Sequence, residues 1–235
     1  MTTTSPPTTF EIPTAHGPAR VHLHPAAGGA PRAALVLGHG AGGGVDAPDL
    51  LAVTEVATAL GITVALVEQP YRVAGRGGSP RAEVLDGAWR DVVGHLTGGP
   101  IAGVPLITGG RSAGARVACR TALATGAAAV LALAFPLRPP GRPEAPSRLP
   151  ELDGAGVPVL VVQGDRDPYG EPQPDPARRR EVVVTRGDHS LRQGLDEVRA
   201  VAGRWLGEVW GSPAGRGLPG GAGQAEGLPG EGQER

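Results

Sequence analysis

The chain has 235 residues, enough for one sizeable core, and its length points to a single domain with loose ends. Twenty-two basic residues, every one Arg, stand against 23 acidic ones, so the net charge of −1 offers no surplus to attract a phosphate backbone or an anionic lipid, and neither nucleic acid nor membrane is an expected partner. The single Cys119 rules out an intrachain disulfide and an all-Cys metal cage and suits a reducing compartment, which makes the cytoplasm the expected address.

In chain order, residues 1–13 are rich in Thr and Pro and lack both a basic start and an apolar run, so the reading is a disordered segment and no signal peptide. A domain over 14–210 follows. Residues 20–24 alternate polar and apolar side chains, as an outer strand does. Residues 33–37, 63–67, 104–108, 128–134, 159–163 and 181–185 are nearly continuous apolar runs bounded by Gly or Pro, the pattern of strands buried on both faces. The longest apolar stretch, 127–135, is strand-sized and far short of the ~20 residues a membrane helix needs.

Helical periods lie between the strands. Leu85, Ala88, Trp89, Val92, Val93 and Leu96 recur at three- and four-residue spacing, with charged residues off that stripe. Leu191, Leu195, Val198, Ala202, Trp205, Leu206 and Val209 repeat the logic near the end. The fold class is therefore α/β, a mostly parallel central sheet with helices on both faces. Residues 211–235, rich in Gly and Pro, read as a disordered tail.

In such a sheet, chemistry gathers on the loops that leave the carboxyl ends of the strands. After the strand at 33–37 comes Gly38-His39-Gly40-Ala41-Gly42-Gly43-Gly44, a backbone free of bulky side chains, whose N–H groups can face a developing oxyanion. The N–H groups of Ala41, or secondarily Gly42, and of Ala113 are the candidate donors. After 104–108 comes Gly109-Gly110-Arg111-Ser112-Ala113-Gly114, which contains G-x-S-x-G between a strand and a helix-permissive run, the setting of a nucleophile elbow. In so Gly-rich a chain that five-residue motif arises by chance about 0.2 times, so its placement carries the argument.

Two later strands supply partners. The strand at 159–163 ends in Gly164-Asp165-Arg166-Asp167-Pro168, and the one at 181–185 ends in Arg186-Gly187-Asp188-His189-Ser190. The order Ser112, Asp167, His189 is that of α/β-hydrolases. Asp165 is a rival acid two residues away, and Asp188 a weaker one, since a sequence neighbour's carboxylate is poorly aimed at the His ring.

From about residue 20 to 210 the chain resembles the α/β-hydrolases. The His-Gly-Ala-Gly loop, the Gly-Gly-Arg-Ser-x-Gly elbow, the stretch 135–144 and the acid loop 164–168 resemble a small dienelactone-hydrolase-related branch. That resemblance implies an α/β-hydrolase fold and a Ser nucleophile, whereas dienelactone hydrolases proper use Cys, so their substrate does not carry over. It also favours Asp167 over Asp165, because the family's acid stands three residues after the Gly that ends the strand. Ala115 departs from the branch, which often has a second Gly there, while Gly114 remains.

The expected function is a serine hydrolase that cleaves small soluble carboxylic esters, thioesters or lactones through an acyl-enzyme on Ser112, without cofactor or metal. Residues 135–158 are too few for a large cap, so a minimal cap and an open pocket are expected. Arg72, Arg76, Arg138 and Arg142 lie in the loops around it and are candidates to bind a substrate carboxylate. Two other readings compete. One is a non-catalytic binding or scaffold protein on the hydrolase fold. The other is a dinucleotide-binding protein, since Gly38-x-Gly40-x-x-Gly43 follows a strand and Glu68 closes the next one. His22 and His24 share a strand face as metal ligands can, but no third ligand at a suitable spacing accompanies them.

Overall fold

The computed structural model describes residues 6–211. Eight strands form one sheet: β1 (Thr8–Ile12), β2 (Ala19–His24), β3 (Ala33–Gly38), β4 (Ile62–Glu68), β5 (Leu106–Arg111), β6 (Ala129–Leu133), β7 (Val159–Gly164) and β8 (Arg180–Thr185). Their spatial order is β1-β2-β4-β3-β5-β6-β7-β8. The pairs β1/β2 and β2/β4 are antiparallel and all later pairs are parallel. Every residue of β3, β6 and β7 is buried, which is why these runs carry no polar alternation.

The helices cover both faces. On one side lie α1 (Pro48–Ala59) and α6 (Leu195–Leu206), packed over Leu35, Leu37, Leu131 and Leu160. On the other lie α3 (Ala82–Thr97), α4 (Ala113–Thr121) and the single-turn α5 (Leu149–Asp153), over Val36, Val67, Val130 and Val161. The stripe on α3 is buried as its spacing requires, with Trp89 wholly enclosed. A short turn of helix, α2 (Pro70–Val73), follows β4.

Two boundaries differ from the sequence reading. Residues 8–12 are β1 and not part of a disordered segment. Ile12 is buried and Phe10 half-buried against the core, and the strand pairs with β2 from Thr8↔Leu23 to Ile12↔Ala19. The strand expected at 20–24 is therefore second from the edge. The reading of 1–13 as disordered thus fails for 8–12, and residues 1–5 lie outside the described residues, as does the tail at 212–235. Leu191, placed on the last helical stripe from its spacing, instead sits in the preceding loop with φ 53°, buried against that helix.

The dinucleotide reading also meets an obstacle. Its third Gly should enter a helix, but α1 begins only at Pro48, five residues after Gly43.

Candidate active site

The carboxyl ends of β3, β5, β7 and β8 deliver the four loops singled out in the sequence. Ser112 stands between β5 and α4 with φ 53° and ψ −107°, a conformation L-residues rarely adopt, and its N–H is strapped to the Leu133 carbonyl of β6 at 2.9 Å. Such a turn requires glycine on both sides. A Cβ on Gly110 or on Gly114 would lie 2.3 Å from the Gly38 carbonyl oxygen. The backbone thus lifts the Ser112 hydroxyl clear of the sheet edge.

His189 reaches that hydroxyl from the far side of the sheet. Its Nε2 lies 2.9 Å from Ser112 Oγ and its Nδ1 lies 2.8 Å from Asp167 Oδ2. The Asp167 side chain is 1% exposed, so its charge is compensated by the groups around it. Tyr169 N–H donates to Oδ1 at 2.9 Å, and Gln163 Nε2 donates to Oδ2 at 2.8 Å. Gln163 Nε2 also faces the carbonyls of Gly170 at 2.8 Å and Phe135 at 3.3 Å. Three oxygens around one end of this buried side chain identify that end as the amide nitrogen. Tyr169 stacks on His189 with ring centroids 4.2 Å apart.

The rival carboxylates are engaged elsewhere. Asp165 accepts from the Gly187 N–H at 2.8 Å, and Asp188 accepts from the N–H and hydroxyl of Ser190. Both lie apart from the Ser112–His189–Asp167 chain. His22 turns to Glu68 at 3.5 Å, and among the described residues no cluster of three His, Cys, Asp or Glu side chains could hold a metal. Cys119 is buried, and that burial pushes its thiol up to about 12, away from any nucleophilic role at neutral pH.

The glycine loop after β3 is held in one shape. His39 is 3% exposed; its Nε2 accepts the Gln69 N–H at 3.1 Å, which leaves the ring proton on Nδ1 to donate to the Gly40 carbonyl at 2.8 Å. Gly43 N–H also donates to that carbonyl, at 3.1 Å. Because the Gly40–Ala41 peptide is trans, the Ala41 N–H points away from these donors, and among the described residues it has no acceptor. Tyr71 Oη donates to the Ala41 carbonyl at 3.0 Å. The Ala113 N–H, in the first turn of α4, likewise has no intrahelical partner.

Burial, more than any other influence, holds the His39 pKa below its ordinary value of 6.5. An unfolded chain takes up this proton at a higher pH than the folded one. Stability from the neutral ring is therefore complete above the unfolded value and is lost as the pH falls through the folded one. We expect the urea midpoint to drop between about pH 7.5 and pH 5, and the drop to be smaller in His39→Gln, which cannot titrate. Equal slopes in the two proteins would remove His39 as a source of acid sensitivity.

A family model for the alpha/beta hydrolase domain matches residues 31–200. The chain belongs to the α/β-hydrolase family. Solved α/β-hydrolases resemble it along nearly their whole length. A serine hydrolase without lid from Xanthomonas campestris superposes with TM-score 0.68 at 16% identity, covering 90% of this chain and 99% of its own. A serine hydrolase homologue from Coxiella burnetii gives 0.68 at 17% identity, covering 87% and 99%. A dienelactone hydrolase from Anabaena variabilis gives 0.67 at 19% identity, with the same coverage. At such identities the likeness establishes the fold alone. No curated protein matches the chain in sequence.

The four arginines expected around an α/β-hydrolase pocket are placed unequally. A groove of about 350 Å³ runs beside α3 and α2, walled by Tyr71, Val84, Leu85 and Ala88, with Arg76 and His16 also lining it. It shares Gln69, Tyr71 and Leu85 with a narrow recess bordered by Ala113 and Gly114. Arg138 and Arg142 are exposed on the loop after β6, Arg138 Nε donating to the Ala145 carbonyl at 3.2 Å, and neither lines the groove. Arg72 is half-buried in α2 and is also absent from its walls. Gln163, Tyr169 and the latch made by His39 were not foreseen from the sequence, because each acts through a contact that only the folded chain creates.

Proposed function

We propose that this α/β-hydrolase is a serine hydrolase that cleaves small carboxylic esters, thioesters or lactones through an acyl-enzyme on Ser112. The observation that carries this reading is the unbroken chain from Ser112 Oγ to His189 Nε2 at 2.9 Å and from His189 Nδ1 to the enclosed Asp167 carboxylate at 2.8 Å. As Oγ attacks the substrate carbonyl, Nε2 takes its proton, and the imidazolium so formed is stabilised by Asp167. The carbonyl oxygen becomes an oxyanion facing the unpaired N–H groups of Ala113 and Ala41, with Gly42 as the next candidate. Each such donor is typically worth about 2.7–4 kcal/mol in the transition state.

Collapse of the tetrahedral intermediate breaks the bond to the leaving oxygen or sulfur, which takes the proton from Nε2 and departs from an ester or thioester, or stays tethered as the hydroxyl of a ring-opened lactone. Water then repeats the sequence with His189 as base, releasing the acid and restoring the Ser112 hydroxyl. No step calls for a cofactor or a metal. The substrate is a small molecule, and a cytoplasmic setting fits the lone, buried Cys119.

Sheet order supports a placement for the two ends of the ester. His189 comes from β8, at one end of the sheet, and must face the leaving group to protonate it. The groove beside α2 and α3 follows β4, on the other flank of β5, so it holds the acyl side. Its apolar walls suit a short acyl chain, and Arg76 suits a carboxylate at that chain's end. With succinyl and butyryl esters of one leaving group, Arg76→Gln should lower kcat/KM for the succinyl ester about 10-fold and leave the butyryl ester unchanged, the loss of one charge-assisted bond. Equal effects on both esters would remove Arg76 from recognition.

The function itself is tested by turnover of acyl esters of graded length by wild type and Ser112→Ala. We expect short chains to be hydrolysed by wild type alone. Retention of full turnover by the variant would refute the reading.

A further inference from the structure

Arg111, the last residue of β5 and the neighbour of Ser112, occupies a place the chemistry above does not use. Its side chain is 16% exposed, and its Nε lies 3.1 Å from Oδ2 of Asp49, a carboxylate with no exposed surface in the first turn of α1. Nη2 donates to the main-chain carbonyl of His189 at 2.9 Å. Nη1 lies under the glycine loop, where a Cβ on Gly40 would come within 3.0 Å of it. One guanidinium therefore touches the segment that carries His189 and the loop that carries the Ala41 N–H. It belongs to the residue before the nucleophile and is ion-paired with Asp49 of α1.

The need for such a brace follows from the topology. Ser112 leaves β5, while His189 leaves β8 with β6 and β7 between, so their 2.9 Å approach depends on a loop that crosses two strands. That loop has Leu191 at φ 53° and Gly187 at φ 145°. A buried ion pair is a poor source of stability, because desolvation consumes most of the Coulomb gain, and well-packed apolar replacements are often as stable. Burial does push the Asp49 carboxyl above its ordinary range, with Arg111 opposing the shift. A planar fork with several fixed donors is, however, well suited to holding separate segments in register.

We propose that Arg111, anchored by Asp49, is a positioning residue that sets the His189 ring against Ser112 and holds the glycine loop beside it. This inference rests on the serine-hydrolase reading and adds to it a residue that touches no reacting atom. Loss of the brace lets His189 and the loop drift. A displacement of 1 Å in such an arrangement costs about 100-fold in rate.

Two variants separate this role from a structural one. Arg111→Lys keeps the charge facing Asp49 but cannot also reach the His189 carbonyl. The double variant Asp49→Leu/Arg111→Leu removes both charges, so neither is stranded. Each is compared with wild type on one short-chain ester, with kcat and KM determined separately and with the rate of Ser112 phosphonylation by a small phosphonate as a second readout. We expect kcat and the phosphonylation rate to fall together, about 100-fold in the double variant and about 10-fold or more in Arg111→Lys, with KM within about threefold of wild type and the urea midpoint little changed. A folded double variant, or Arg111→Lys, with kcat within threefold of wild type would overturn the proposal. Ser112→Ala in the same assay keeps the two readings apart: if it retains turnover, the serine-hydrolase reading falls, and if it is inactive while the Arg111 variants are not, only the brace does.

Discussion

Ser112→Ala should lower kcat for a short acyl ester by about six orders of magnitude while leaving the urea midpoint close to wild type. The size of the effect follows from what is lost. Without Oγ there is no acyl-enzyme, and His189 has no serine proton to take. What remains is substrate binding and the N–H groups of Ala113 and Ala41, which by themselves leave about 10³–10⁴-fold over the uncatalysed reaction. The fold should tolerate the change because the elbow is held by its backbone. The Ser112 N–H to Leu133 bond and the close approach of Gly110 and Gly114 to Gly38 do not involve the hydroxyl. The assay is steady-state turnover beside a denaturation curve. A variant within tenfold of wild-type kcat would mean that another group attacks the substrate.

The second largest effect should come from Asp167→Asn, a loss of about 10⁴ in kcat at neutral pH. The carboxylate is enclosed and accepts from His189 Nδ1, so it fixes the proton on Nδ1 and leaves Nε2 free to receive one from Ser112. It also accepts from Gln163 Nε2 and from the Tyr169 N–H. An Asn at this position keeps the shape but can present an amide N–H to Nδ1, which favours the tautomer protonated at Nε2 and so disables the base. Asp165→Asn and Asp188→Asn serve as comparisons, because those carboxylates bond to Gly187 and Ser190. Each should stay within about threefold of wild type, as surface changes do. If Asp165→Asn were the more damaging variant, the acid would have been misassigned.

The core strands were legible because burial on both faces leaves a run of apolar residues with nothing to interrupt it, as in β3, β6 and β7. β1 was not. An edge strand pairs on one side only, and in Thr8–Ile12 just Phe10 and Ile12 reach the core, too little to stand out beside the Thr and Pro around it. β5 was placed two residues early at its start. Its ladder extends through Gly109 and Gly110 to Arg111, where small residues read as a turn are paired with β3 and β6 so that the strand can run straight into the elbow. Leu191 shows the limit of periodicity, since a buried residue can continue a helix's apolar stripe from a loop.

Within the site, Ser112, Asp167 and His189 were readable because each lies within four residues of a strand's carboxyl end, and the structure brings all three within hydrogen-bonding distance. Gln163 reads only as the end of a strand and Arg111 only as a member of the elbow motif, while Tyr169 stands just past the quoted acid loop with no role assigned. Their roles depend on contacts across 20 to 78 positions of chain or on neighbours a few residues away on a folded turn, and no local pattern reports those. The four arginines illustrate the converse. Loop membership nominates all of them, and of the four only Arg76 lines the groove beside α2 and α3.

In the proposed mechanism three side chains from separate loops make Ser112 a nucleophile. The most direct test of this is intact-mass and peptide analysis after treatment with a fluorophosphonate. One adduct per chain is expected, located on Ser112, formed by wild type and almost absent in His189→Ala. A wild-type protein that stays unlabelled, or carries its adduct on another residue, would contradict that mechanism.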